Sequence, residues 1–404
     1  MNGQSGKEGD SHLLLRSRVT LADRPVCTQA GSRRGLYVEL VSVSLVVLIL
    51  LIAGTQGGTH SKMITPTQSQ TGVAIATAAS ESTRNGVVAS CTVDAAWSDA
   101  YDAANGFIYV ASAYGGVFIV KPPCHVMQSI LPNALGFGTA YDPVTRDIVV
   151  TDQAYVGGHV IAEVIHGSTT TTTVDLGNFF DHCPDFEAWD AAVGSILIAD
   201  GCPSVGPPSG GGVDVLHLTT TGGTTHASVR LDAFDRNNGP TAVLVADGYV
   251  FSAGNIVDVF DARTFHFVGG FAVNGPGNPV GGTNTLGWDP LTQTVILGRG
   301  DVSGHGSVVF LNVSSIASGR FTFGYLSVPG ILDSGVGGVA YSPSTHNVYL
   351  TAYGGNDVWE LSSSGELTHV YLGQYAAAQG LAYDPANDDM YVCGFGSSMV
   401  YVIR

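Results

Sequence analysis

Charge is scarce in this chain. Asp, Glu, Lys and Arg make up 12% of the 404 residues, and only 16 of those are Lys or Arg. From Val87 onward eight Lys or Arg stand against 28 Asp or Glu. Nucleic-acid binding needs clustered cations against phosphate, so a DNA or RNA partner is excluded. Long Ala/Glu/Lys/Leu runs with a helical period are missing, which excludes a helical bundle. There is no Cys-x-x-Cys or Cys/His spacing, so a zinc site of the common kinds is excluded. No Asp-x-Asp-x-Asp-Gly loop is present for calcium, and no Gly-x-Ser-x-Gly elbow for a serine hydrolase.

Glycine, by contrast, is abundant, at 54 copies. Apolar residues come in short runs broken by Gly, Asn, Asp, Ser and Thr, the punctuation of an all-β fold. A unit recurs: Ala, an aromatic, Asp, a polar turn, then a β-branched run, a Gly-rich loop and a second apolar run. Its anchors are Tyr101-Asp102, Tyr141-Asp142, Trp189-Asp190, Trp288-Asp289 and Tyr383-Asp384, with Tyr341-Ser342 as a variant. A degenerate copy spans residues 241–251. Seven four-stranded units at roughly 40–55 residues fit a seven-bladed β-propeller. The chain stops after the third strand of the seventh unit, and residues 87–93 form a spare strand before the first. That strand is expected to complete the last blade and close the ring, hiding sheet edges. The Asp residues of the anchors are turn formers, not catalytic acids.

Residues 1–35 are polar and carry Lys7, Arg16, Arg18, Arg24, Arg33 and Arg34. Residues 36–54 are apolar apart from Glu39 and reach the lower end of the length that crosses a bilayer. With cations on the amino side, the reading is a single transmembrane signal anchor with its amino terminus cytoplasmic and the bulk outside. A cleaved signal peptide is the rival. Residues 55–85, rich in Thr and Ser, read as a flexible stalk, and residues 86–404 as the propeller.

Outside the cell disulfides persist. Cys183 and Cys202 are expected to pair, since both positions lie on one face of a propeller. Cys91 with Cys124 is the second choice, because the two fall at opposite ends of their strands. Cys393 is left without a partner and reads as buried. Asn312-Val-Ser314 is the one glycosylation sequon of the outer part.

In a propeller the loops entering first strands share a face with those joining second to third strands. The entering positions include Trp97, Phe137, Asp185, Asn284, Gly337 and Gln379, with Pro240 in the degenerate unit. The second-to-third loops add Tyr114, Asp152, Tyr155, Asp200, Arg299, Asp301, His305, Tyr353 and Phe395. Aromatic and amide groups at such a mouth suit a glycan, a peptide or a protein partner. No cofactor is called for. A divalent ion held by Asp185 and Glu187, with Asp99, Asp152, Asp200 or Asp301 and with His305 or His159 beside them, is the enzymatic alternative.

The motifs Ala140-Tyr141-Asp142-Pro143, Ala382-Tyr383-Asp384-Pro385, Tyr109-Val110-Ala111-Ser112 and Asn105-Gly106 resemble those of the YVTN (YncE-like, surface-layer) β-propellers. The resemblance covers residues 87–404 and implies an extracellular seven-bladed propeller; it carries no catalytic set. The expected function is a membrane-anchored surface recognition or adhesion module without chemistry of its own. The alternatives are a metal-assisted lyase or lactonase at the channel mouth, and a structural surface-coat subunit.

Overall fold

The computed structural model describes residues 83–84, 86–132, 134–156, 159–167, 170–178, 184–201, 212–234, 239–254, 256–272, 283–299, 307–328 and 335–404. The expected anchor at 36–54 and most of the stalk lie outside the described residues. No helix among the described residues is long and apolar enough to cross a membrane.

Seven sheets form the structure. Their inner strands are Ala96–Asp102, Gly136–Asp142, Pro184–Asp190, Ala242–Ala246, Thr283–Asp289, Val336–Ser342 and Ala378–Asp384, defining blades one to seven. Each inner strand packs against the next, and the seventh returns to the first, closing the ring. Within blades one to six the strands are antiparallel and follow chain order outward. Blade seven ends on Met399–Ile403, and its fourth place is filled by Val87–Thr92, antiparallel to it, with Val87 opposite Ile403 and Thr92 opposite Met399. The expected ring closure is thus the observed one.

Seven of the hydrophobic clusters are layers between consecutive blades. At the closing seam Tyr391, Cys393, Val400 and Val402 of blade seven pack on Ile108, Val110 and Val120 of blade one. Alternation along each strand puts one face toward each neighbouring blade, so most core strands are apolar on both sides.

The inner strands stop for one repeated reason. The carboxylate of Asp102 accepts the amide of Ala104 at 2.8 Å, and Asp142, Asp190, Asp289 and Asp384 accept the amide two residues on at 2.7–2.9 Å. Ser342 fills the role through Oγ, accepting from Thr345 at 3.3 Å. The fourth residue after each anchor has positive φ: Gly106, Arg146, Gly194, Gln293, His346 and Asp388. Blade four instead turns on Asp247 and Gly248, both with positive φ, the two-residue hairpin that Asp-Gly favours. A left-handed backbone costs a residue with a Cβ roughly 1–2 kcal/mol. Gly194→Ala should therefore lose about 1 kcal/mol in denaturant melts, although a Cβ there meets nothing within 4 Å. Gln293→Gly should move stability the other way. Equal midpoints for the two variants would refute this account of the turns.

Two findings add to the sequence reading, and one bears out its second choice. Thr83–Arg84, assigned to the stalk, pairs parallel with the outer strand of blade six, Leu367–Tyr371. The outer strand exposes unpaired backbone groups, and a short extended segment satisfies them. The disulfide is the second-choice pair of the sequence reading: Cys91 is bonded to Cys124, with Cα atoms 5.5 Å apart. Strand-end bookkeeping had separated them, but each sheet twists by some 20–25° per strand, which swings the outer strand of blade seven across the seam onto blade one. Cys183 and Cys202 lie outside the described residues. Lastly, a single 3-10 turn, Val313–Ser318, joins the third and fourth strands of blade five, and exposed Asn312 of the sequon caps it by accepting the Ser314 amide at 3.0 Å.

Candidate functional site

The inner strands bring one position of every full repeat to the top of the channel, five residues before the anchoring Asp or Ser. Its occupants are Trp97, Phe137, Asp185, Asn284, Gly337 and Gln379. On one side of the ring this position is aromatic. Trp97 is buried and meets Phe137, Tyr353 and Phe395 edge-on, with centroids 5.3, 6.2 and 5.2 Å away. Tyr114 touches Phe395 at 5.9 Å and is 60% exposed. Blades one, two, six and seven thus share one aromatic cluster over the mouth. Edge-to-face geometry lets the quadrupoles attract, adding about 0.5–1.5 kcal/mol per pair. The loop 372–377 lies beside it: Phe395 and Gly396 donate to the carbonyls of Ala377 and Ala376, and Tyr375 on that loop is 71% exposed.

The other flank is acidic. The Asp185 carboxyl is buried at the channel top and is pushed up to about 8, first by burial and then by nearby Asp200. The Gln153 amide donates to the Pro184 carbonyl at 3.0 Å and to Asp185 at 3.4 Å, while its own oxygen, buried, has no partner. Asp152 accepts the Leu135 amide at 2.8 Å. Burial raises the Tyr353 phenol above its usual range, with Asp185 and Tyr114 adding to the shift, so this ring stands between the aromatic and acidic flanks.

Two further acids lie one layer down. Glu187 accepts the Thr151 amide at 2.9 Å, and a Cβ at Gly138 would overlap its carboxylate. Thr151 in turn donates its hydroxyl to the Asp185 carbonyl at 3.0 Å. Burial holds Glu187 well above the usual carboxylate range. Asp99 stands at the equivalent place between blades one and seven, over Gly380 and beside the Cys393 thiol. Burial pushes it up to about 8, and neither oxygen has a hydrogen bond of good geometry. These two acids are struts between blades.

The candidates divide accordingly. Trp97, Phe137, Tyr114 and Tyr353 come together, and Asp152 and Asp185 line the adjoining flank. Gln379 is buried beside Gly337. Asp200 is buried at the end of its strand. Asp301 and His305, with the side chains of Tyr155 and Asn284, lie outside what is described. His159 pairs with Asp175 at 2.9 Å on the surface, away from any carboxylate cluster. No three of His, Cys, Asp or Glu among the described residues are grouped as a metal ion would need. Gln153 and Tyr375 were missed by sequence reasoning; Tyr375 could have been found from its place four residues before Gln379, in an entering loop.

No family model matches the sequence, and no curated protein matches it. Solved structures do. The β-propeller domain of Cps50 (Swd1) from Myceliophteria thermophila matches with a TM-score of 0.59 at 10% identity, over 79% of this chain and 99% of that one. A streptogramin B lyase matches at 0.57 and 10%, over 79% and 96%. The virginiamycin B lyase of Staphylococcus aureus matches at 0.57 and 10%, over 78% and 98%. At such identities the likeness establishes the fold alone: this chain is a seven-bladed β-propeller.

Proposed function

We propose that this chain is a cell-surface recognition module, a YVTN-type propeller that binds a ligand or partner at its aromatic mouth. The observation that carries the reading is the cluster of Trp97, Phe137, Tyr353 and Phe395 topped by exposed Tyr114. Large aromatics cost hydrophobic exposure at a loop surface, and they are the side chains that anchor binding interfaces. The Ala-Tyr-Asp-Pro units support the YVTN likeness. The apolar run 36–54 with cations before it supports a membrane anchor, and the Cys91–Cys124 bond suits an oxidising exterior.

The test is a screen of the full chain on glycan and cell-surface protein arrays. Binding should drop about tenfold or more in Tyr114→Ala, as for the loss of an interface anchor. Silence on every array, or hits indifferent to Tyr114, would refute the reading. A lyase or lactonase is the second reading, favoured by one feature: burial at the channel mouth pushes the Asp185 carboxyl up to about 8, the range that suits a general acid.

A further inference from the structure

The mouth combines exposed aromatic rings with an acidic flank, and no Lys or Arg stands in the loops around the rings. The loops around the aromatic cluster, residues 93–95, 113–115, 131–135, 353–356, 372–377 and 395–398, contain neither Lys nor Arg. Asp94 is exposed among them and accepts the Ser398 hydroxyl at 3.1 Å. Arg299 closes the second strand of blade five, on the far side of the ring. Lys121, Arg146, Arg263, Arg320 and Arg404 lie at the other strand ends, in inner-to-second or third-to-fourth turns or beside them. Arg230 is on the outer strand of blade three and Arg236 follows that strand in the sequence, so the aromatic cluster itself is bordered by acids and not by Lys or Arg.

The buried Gln153 oxygen, which has no partner, is fixed against Asp185 by the amide nitrogen of the same side chain. Tyr353 connects that pair to the rings of Trp97 and Tyr114. A soft organic cation needs only π-faces and nearby negative or acceptor oxygens, and it gains from both.

Resting on the recognition reading above, we propose that the mouth binds an organic ammonium group, a quaternary or heavily alkylated amine, against the rings of Tyr114, Tyr353 and Phe395, where they border the flank of Asp185 and Gln153. An alkylated ammonium has a diffuse charge and a weak hydration shell, so it loses little on entering an aromatic site. The group can come from a free small molecule or from a methylated lysine on a peptide, and the two are separable.

The experiment is calorimetry on the full chain with choline, with tetramethylammonium, with a short peptide bearing one trimethyl-lysine, and with 3,3-dimethyl-1-butanol, the uncharged carbon isostere of choline. Choline and tetramethylammonium should saturate in the millimolar range, and the isostere should bind at least about fivefold more weakly. Tyr114→Ala should weaken choline by about fivefold, and Tyr114→Phe should keep it, because the ring and not the hydroxyl holds the cation. Tyr114 is exposed, so its loss leaves the fold intact. Tighter binding of the peptide than of choline names a peptide source, and the reverse order names a free amine. An isostere equal to choline overturns the ammonium class while the mouth stands as a binding surface. Choline binding indifferent to Tyr114→Ala, or no binding by any of the cations at tens of millimolar, overturns the proposal. In the last case array ligands that still depend on Tyr114 show that the recognition reading survives it.

Discussion

The protein should lose stability steadily as pH rises from about 5 to 9, and Asp99→Asn with Asp185→Asn should remove most of that loss. Both carboxyls are buried and pushed up to about 8 from 3.8, chiefly by desolvation. Between those two values the folded state holds protons that the unfolded chain has released. Stability linked to these groups is therefore complete below pH 4 and is lost as pH climbs through 8. One unit is worth about 1.4 kcal/mol, which sets a ceiling on the order of 5 kcal/mol for each group. Glu187 acts in the same direction. Against a total of about 5–15 kcal/mol for a folded domain, this is a dominant effect. Thermal melts of the full chain at pH 5 and pH 9 read it directly. Asparagine mimics the protonated acid, so the doubly substituted chain should melt higher than the parent at pH 9 and show a flatter profile. Parallel profiles would mean that the two groups ionise freely in the folded state.

Breaking the Cys91–Cys124 bond should cost about 3–4 kcal/mol, the entropy of closing a loop with the observed separation of 33 residues. The bond pins the strand that completes blade seven to blade one, and that strand is the one held to the rest of blade seven only by its pairing with Met399–Ile403. The cost should appear as a lower denaturant midpoint in Cys91→Ser, and Cys124→Ser should match it. The parent treated with a reductant should fall by at least as much. Cys393 is buried without a sulfur partner and contributes nothing to that response. If reduction leaves the midpoint of the parent unchanged, the pairing with Met399–Ile403 and the packing at Tyr391, Val400 and Val402 hold that strand without covalent help.

Much of the ring was readable from residue types alone. An Asp that caps its own turn leaves a mark at fixed spacing, so six inner strands could be placed, and Asp247-Gly248 betrayed the seventh. The channel-top positions followed by counting back from those anchors. The pairing of Cys91 with Cys124 could be named only as a second choice, because it depends on twist accumulated across a whole blade. The buried states of Asp99 and Glu187 were hidden for a related reason. Their neighbours, Gly380 with Cys393 and Gly138 with Thr151, belong to other repeats, and nothing local in the chain announces contact between blades. The aromatic cluster stood between these cases: its members were named one by one, but their meeting over blades six, seven, one and two required the ring.

The pairing of the amino-terminal strand has a mechanical consequence. A pull on the chain ahead of Thr83 first strips the two parallel pairs on blade six, then peels Val87–Ser90 from Met399–Ile403 one rung at a time. The peeling front halts at Cys91, where the load passes through sulfur into blade one. Beyond that rung, tension is shared by two neighbouring sheets, so the tether can stretch by a few residues without opening the ring.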